Sequence, residues 1–139
     1  MLTSCYSRLK MIPEGMEAVA ISVGIPRWYR GRREIRLAPT RAMLKMSQEE
    51  YDRLFRAKLK ELDPKELFDA VGNNGVMLCW EKPGESCHRR LVAEWMESNL
   101  GIEITELGFE RSEVPSYSSL AWSTPKPAKK KIDEQPLLF

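Results

Sequence analysis

One continuous apolar run, followed by a polar loop and an amphipathic helix, constrains the fold of this chain most strongly. The run covers residues 76–80 and is short and unbroken, which is typical of a strand covered on both faces. Pro83 and Gly84 then predict a tight turn. Ser86 is expected to cap the following helix, and the apolar stripe of this helix comprises Leu91, Val92, Trp95 and Met96. This succession of strand, loop and helix predicts an α/β fold.

Length, hydropathy and cysteine content predict one soluble, cytoplasmic domain. The 139 residues suffice for a domain with a real core and are too few for two comfortable ones. No apolar run approaches a membrane span, and the N-terminus lacks the layout of a signal peptide. The three cysteines, at positions 5, 79 and 87, have no paired spacing, which argues against a disulfide framework and fits a reducing compartment.

Positive charge is concentrated near the start of the chain, although the net charge is only +2. Residues 1–45 contain nine basic and three acidic residues, whereas residues 46–107 contain eight basic and thirteen acidic ones. A partner that carries phosphate would therefore be drawn to the first third of the sequence.

The rest of the sequence predicts alternating strands and helices up to residue 107. Residues 2–6, 17–23 and 102–107 are expected to form strands. Ser47 and Asp63 are expected to cap two packing helices, the second with Pro64 at its first position. The order β, β, α, α, β, α, β predicts a three-layer α/β sandwich with a mainly parallel sheet over residues 1–107. Residues 108–139, rich in serine and then in proline and lysine, predict a flexible tail.

A basic and aromatic segment, residues 26–33, is the first candidate for binding. Arg27, Trp28 and Tyr29 stand side by side, and three further arginines follow. Arginine forks grip phosphate and aromatic faces stack on bases, which favours a nucleic-acid contact. The alternative is an ordinary surface loop in which Trp28 packs into the domain and the arginines are solvated.

Further candidates lie where the predicted strands end. In an open α/β sheet, ligands bind at the carboxyl ends of the strands. Ser4, Tyr6 and Arg8 reach this edge if the first and third strands are neighbours. With the segment at residues 26–33 they predict a basic, aromatic-lined cleft suited to a nucleotide or an unpaired base.

The loop after residues 76–80 carries the chain's only histidine and allows several interpretations. One is an anion site formed by the backbone around Ser86, with Arg89 or Arg90. Another is catalysis with Cys87 as nucleophile and His88 or Glu81 as acid and base.

Two further interpretations of this loop involve no reaction. In a metal site, Cys79, Cys87 and His88 would be the ligands, but the spacing matches no standard zinc pattern and a fourth ligand is lacking. In a structural role, Cys87 and His88 pack under the loop, and Glu81 pairs with an arginine. No metal or cofactor is therefore expected.

Several short motifs make the core resemble the domain-of-unknown-function family 488. They are residues 3–6, residues 21–22, residues 26–28, residues 37–39 and above all residues 78–83, followed by residues 87–89 and 94–95. The resemblance covers about residues 2–107 and implies an α/β sandwich domain, with little about a reaction. Cys5 departs from the pattern, since an aromatic residue is more common at that place.

The last five residues resemble a bacterial sliding-clamp-binding motif of the form Gln-x-x-Leu-Phe. Gln135, Leu138 and Phe139 occupy its anchor positions, whereas Leu137 replaces a small or acidic residue. Such a peptide would insert apolar anchors into a preformed groove of the clamp. The alternative is that the apolar end packs on the domain or in a dimer contact.

These observations lead to three hypotheses. The first is a domain that binds nucleotide or nucleic-acid phosphate and is tethered to the replication clamp for DNA repair or processing. The second is an enzyme acting on a nucleoside-like metabolite. The third is an adaptor without catalytic activity.

Overall fold

A five-stranded parallel sheet organises the domain and confirms the predicted α/β class. The structure is a computed structural model, and it describes residues 1–80 and 88–109. The strands are ordered β3-β2-β4-β1-β5 across the sheet, and all neighbouring pairs are parallel. Their bounds are β1 Leu2–Cys5, β2 Glu17–Ala20, β3 Arg32–Arg33, β4 Gly75–Cys79 and β5 Thr105–Glu106.

The apolar run near residue 76 forms the central strand, as predicted. In β4, every residue is buried, and the strand pairs with β1 on one side and β2 on the other. Its start is tightly packed, because a Cβ on Gly75 would lie 2.6 Å from a methyl group of Val71. The prediction extended the strand by one residue too many, since Trp80 lies beyond its end and is exposed.

Three α-helices occur in the described part of the chain, and the first two begin at their predicted caps. They are α1 Gln48–Lys60, α2 Pro64–Val71 and α3 His88–Leu100. The Ser47 hydroxyl accepts a hydrogen bond from the backbone N–H of Glu50 at 3.2 Å. The Asp63 carboxylate accepts one from Lys65 at 3.0 Å. These side chains satisfy backbone donors that a helix start leaves unpaired. None of the helices in the described part of the chain is long and apolar enough to cross a membrane.

The two layers that cover the faces of the sheet differ in size and in regular structure. The larger core packs the three helices against side chains of one sheet face, including Val19, Ile21 and Met77. The opposite face is covered by a short 3-10 helix, Tyr6–Met11, and by the segment that carries Ile25 and Tyr29. The second layer therefore contains little regular structure, and it ends beside the carboxyl ends of the strands.

Several local predictions require correction. The pair Arg32–Arg33 forms an edge strand, β3, where a loop was expected. Tyr6, predicted as the last residue of the first strand, instead begins the 3-10 helix Tyr6–Met11. The last strand is only two residues long, and Ile102 lies outside it with an exposed side chain. The predicted tail from residue 110 onward lies outside the described residues.

Candidate functional site

Four neighbouring strands each contribute a side chain to one edge of the sheet. Tyr6 directly follows β1, and Trp80 directly follows β4. Ser22 comes just after β2, and Arg33 is the last residue of β3. Because all these strands are parallel, the four residues lie at the carboxyl edge, where ligands bind in open α/β sheets.

Four aromatic rings meet at this edge and are called the aromatic cluster here. It consists of Tyr6, Trp28, Tyr29 and Trp80. The centre of the Tyr6 ring lies 6.4 Å from that of Trp28, 5.5 Å from that of Tyr29 and 5.0 Å from that of Trp80. All three contacts are edge-to-face, a favourable geometry for aromatic pairs. Tyr6 is therefore the hub of the cluster.

Hydrogen bonds fix the hub in position. The Tyr6 hydroxyl lies 2.5 Å from the Ser22 hydroxyl, which in turn donates to the Gly24 carbonyl at 2.6 Å. Since Ser22 has a single proton to donate, Tyr6 is the donor in the first bond. Burial raises the pKa of Tyr6 above its ordinary value, which keeps the phenol protonated for this role.

The adjacent residues Trp28 and Tyr29 differ in exposure to solvent. Tyr29 is buried, and its hydroxyl donates to the Arg32 carbonyl at 2.7 Å. Burial raises the pKa of Tyr29 to about 12, so this donor also stays protonated. Its neighbour Trp28 is 53% exposed. The buried ring therefore anchors the segment and presents the indole of Trp28 at the surface.

Gly31 completes this arrangement, because the Tyr29 ring lies directly against it. A Cβ at position 31 would lie 2.6 Å from Cζ of Tyr29, closer than real atoms approach. The close approach, rather than an unusual backbone angle, thus requires glycine here.

Trp80 is the second exposed indole of the cluster. It is 39% exposed, and its ring N–H donates to the Gly24 carbonyl at 3.0 Å. The same carbonyl accepts from Ser22, so Gly24 connects the second indole to the hub. This bond satisfies the polar group of Trp80, and the partly exposed apolar ring surface remains for contact.

The arginines around the cluster differ from most arginines elsewhere in the described part of the chain. Arg32, Arg36, Arg53, Arg89 and Arg90 each form an ion pair. Within residues 1–80 and 88–109, no carboxylate lies within ion-pair distance of the arginines that flank the aromatic cluster, Arg8, Arg27, Arg30 and Arg33. Their positive charge is available to an anionic partner.

Three of these four guanidinium groups, those of Arg8, Arg30 and Arg33, have contacts other than ion pairs. Arg33 donates to the Val23 carbonyl at 2.9 Å, and Arg30 donates to the Arg27 carbonyl at 3.1 Å. Arg8 lies over the ring of Phe109, 5.2 Å from its centre. An arginine has five N–H donors, so such contacts leave donors for a phosphate.

Ser4, expected beside this site, lies inside the domain. It is completely buried, and its hydroxyl has no hydrogen-bond partner within the described ranges. Ser4 faces the thinly covered side of the sheet, next to Leu78 in the register of β1 and β4. This burial argues against the predicted contact between Ser4 and a ligand.

His88 also lies inside the domain, in contact with the core. Its Nε2 lies 2.6 Å from the Ile21 carbonyl, and its ring packs against Phe55 with the centres 5.4 Å apart. Burial lowers the pKa of His88 to about 3, so the imidazole is neutral near pH 7 and donates this hydrogen bond. The environment favours the structural role over acid–base catalysis.

The two arginines of the predicted anion site are bound to carboxylates of the same chain. Arg89 forms a buried ion pair with Glu106 at 2.8 Å. Glu106 also accepts from the Thr3 hydroxyl at 2.6 Å. Arg90 donates to the Ile104 carbonyl and pairs with Glu94 at 3.6 Å. Arg89 thus ties α3 to β5, and Arg90 ties α3 to the residue before β5, which favours a structural role for both arginines rather than phosphate binding.

The remaining predicted site residues are Glu81, Ser86 and Cys87, and Gln135, Leu138 and Phe139 of the clamp-like peptide. All six lie outside the described residues. No group of three potential metal ligands occurs within residues 1–80 and 88–109.

Sequence reasoning missed two members of the site, Ser22 and Trp80, and included Arg33 only as part of the basic segment at residues 26–33. Ser22 and Trp80 fall inside the predicted strands, at residues 17–23 and 76–80. The usable signal was the strand end. Trp80 is the first residue after a buried run and precedes a charged one, where a large amphipathic ring emerges at the surface.

No protein-family model, curated protein or solved structure matches this chain.

Proposed function

We propose that the aromatic cluster and its flanking arginines bind the phosphates and bases of a nucleotide or nucleic acid. The C-terminal peptide would recruit the domain to a bacterial sliding clamp for DNA repair or processing. The observation that carries the first part is that two exposed indoles lie at the same sheet edge as guanidinium groups that have no carboxylate partner within residues 1–80 and 88–109.

The combination of guanidinium groups and exposed indoles is chemically specific, because the first bind phosphates and the second bind bases. Guanidinium groups attract phosphate from a distance and bind it through several N–H donors. Exposed indoles bind the flat faces of bases. An acidic protein partner would use the arginines but would not need two rigid indoles at the same edge.

The burial of His88 favours binding over catalysis by this imidazole. At neutral pH its ring is uncharged, and it donates to a backbone carbonyl. The domain is therefore proposed as a binding module. A reaction on a nucleoside-like metabolite is the second candidate, and the aromatic cluster would serve it equally as a base-binding surface.

Salt dependence separates phosphate binding from other modes. Binding of a labelled oligonucleotide to the full chain is expected to weaken steeply between about 50 and 200 mM salt. Arg27→Ala or Arg33→Ala should each lower the logarithmic salt slope by about 0.7 to 0.9, the loss of one phosphate contact.

Arg53→Ala is the matched control for these variants, because Arg53 is an exposed arginine on α1 that pairs with Glu50 at 2.7 Å. Its salt slope should equal that of the unaltered protein. Equal slopes for all three variants would refute the phosphate contacts at the aromatic cluster.

The tether rests on the tail motif and has its own test. The full chain is expected to bind a purified bacterial sliding clamp, and a version ending at Asp133 is not. Leu138→Ala together with Phe139→Ala should abolish binding in the same way. Retained binding by the shortened chain would contradict the tether without affecting the phosphate site.

A further inference from the structure

Two exposed indoles at the carboxyl edge bear on the kind of nucleic acid that this site recognises. The centres of Trp28 and Trp80 both lie within 6.4 Å of the centre of Tyr6. Trp28 meets Tyr6 at an interplanar angle of 88°, and Trp80 meets it at 66°. Tyr6 thus supports both indoles at an angle while much of each remains exposed.

Both indoles are held in place before any ligand arrives. Trp80 is fixed by its hydrogen bond to Gly24, whereas Trp28 directly precedes the buried anchor Tyr29 and contacts the Tyr6 ring edge-to-face. A ring that is already positioned loses little conformational entropy on binding. The surface therefore suits stacking better than flexible side chains would.

Duplex nucleic acid cannot use such a surface, since its bases are stacked on each other and paired. Unpaired bases offer their faces freely, and stacking on aromatic residues is largely independent of sequence. The flanking guanidinium groups then serve the strand's phosphates. Resting on the proposed function, we infer that this site recognises single-stranded nucleic acid and stacks its bases on Trp28 and Trp80.

The test compares four probes on the full chain at one fixed salt concentration. They are labelled oligothymidylate and oligouridylate of about 12 nucleotides, within the length range that such surfaces cover, a blunt-ended duplex of the same length, and thymidine monophosphate. Single strands should bind at least tenfold more tightly than the duplex, and the monophosphate more weakly than either single strand. Tighter binding of oligothymidylate would identify the preferred ligand as DNA, and tighter binding of oligouridylate would identify it as RNA.

Substitutions locate the contact. Trp28→Ala and Trp80→Ala are each expected to weaken single-strand binding by roughly 5- to 150-fold, the range for the loss of one stacked base. Trp28→Phe should retain most of the affinity because it keeps an aromatic face. Ile102→Ala is the matched control. The exposed fraction of Ile102, 37%, is similar to the 39% of Trp80, but Ile102 precedes β5 and so lies at the opposite edge of the sheet. A thermal melt of each variant verifies folding.

Two results would overturn the inference, and only the second would also contradict the proposed function. If duplex and single strand bind equally and the tryptophan variants bind normally, the stacking inference fails while phosphate binding stands. If no nucleic acid or nucleotide binds at all, the proposed function fails with it.

Discussion

The single histidine should make the stability of this protein depend on pH between 7 and 5. His88 is fully buried, packs against Phe55 and donates to the Ile21 carbonyl. Burial lowers its pKa from the ordinary 6.5 to about 3. The native state therefore keeps a neutral ring in a pH range where the unfolded chain takes up a proton.

The sign and size of the effect follow from proton linkage. The unfolded state binds more protons below pH 6.5, so the free energy of unfolding falls as the pH falls towards 3. One pH unit within that window is worth about 1.4 kcal/mol. Integrated from pH 7 to pH 5, with most of the change below 6.5, the loss is about 2 kcal/mol.

Denaturant unfolding at pH 7 and pH 5 measures this loss, with His88→Asn as the comparison. The variant lacks the titrating group. It should be less stable than the unaltered protein at pH 7, but it should lose much less stability than the unaltered protein when the pH is lowered from 7 to 5. Carboxylates change little above pH 5 and are common to both proteins. An equal loss in the two proteins would refute the buried, neutral histidine.

Three further predictions concern a buried ion pair, the packing of the aromatic cluster and a helix cap. Glu106→Gln should destabilise the protein by about 3–5 kcal/mol in denaturant unfolding, because Arg89 keeps a buried charge without this carboxylate, and adding Arg89→Met should recover much of the loss. Failure of the double variant to recover would argue against a coupled pair. Gly31→Ala should cost about 1–3 kcal/mol and weaken oligonucleotide binding, since the new methyl group displaces Tyr29; unchanged binding would separate this anchor from the site. Ser47→Ala should cost about 1 kcal/mol in stability without affecting binding, because it removes only a helix cap.

The sequence predicts the central strand and the two capped helices well, for local reasons. An unbroken apolar run can satisfy its hydrophobic surface only by burial on both faces, and β4 is buried throughout. Ser47 and Asp63 act on backbone groups two or three residues away, so their role is visible in sequence.

Edge strands and buried charges could not be predicted in the same way. The strand β3 is two exposed arginines, which have no periodic pattern. Arg89 and His88 look like surface residues in sequence, and their partners Glu106 and Ile21 are 17 and 67 residues away. Only the fold brings these partners together, so the burial of Arg89 and His88 could not be read from the sequence.

The aromatic cluster was predicted in part. Tyr6, Trp28 and Tyr29 were grouped correctly because two predicted strand ends lead to one sheet edge. Which of the two adjacent rings turns inward could not be read from sequence. It depends on the close approach between Tyr29 and Gly31.

The most direct test of the central claim is the indole N–H region of a ¹⁵N NMR spectrum of the full chain, recorded during titration with a single-stranded oligonucleotide. The chain has four tryptophans, and a Trp→Phe variant of each assigns its signal. The signals of Trp28 and Trp80 should shift progressively while that of Trp95, which is buried in the helical core, stays in place. Unchanged signals for Trp28 and Trp80 at saturating oligonucleotide would contradict nucleic-acid binding at the aromatic cluster.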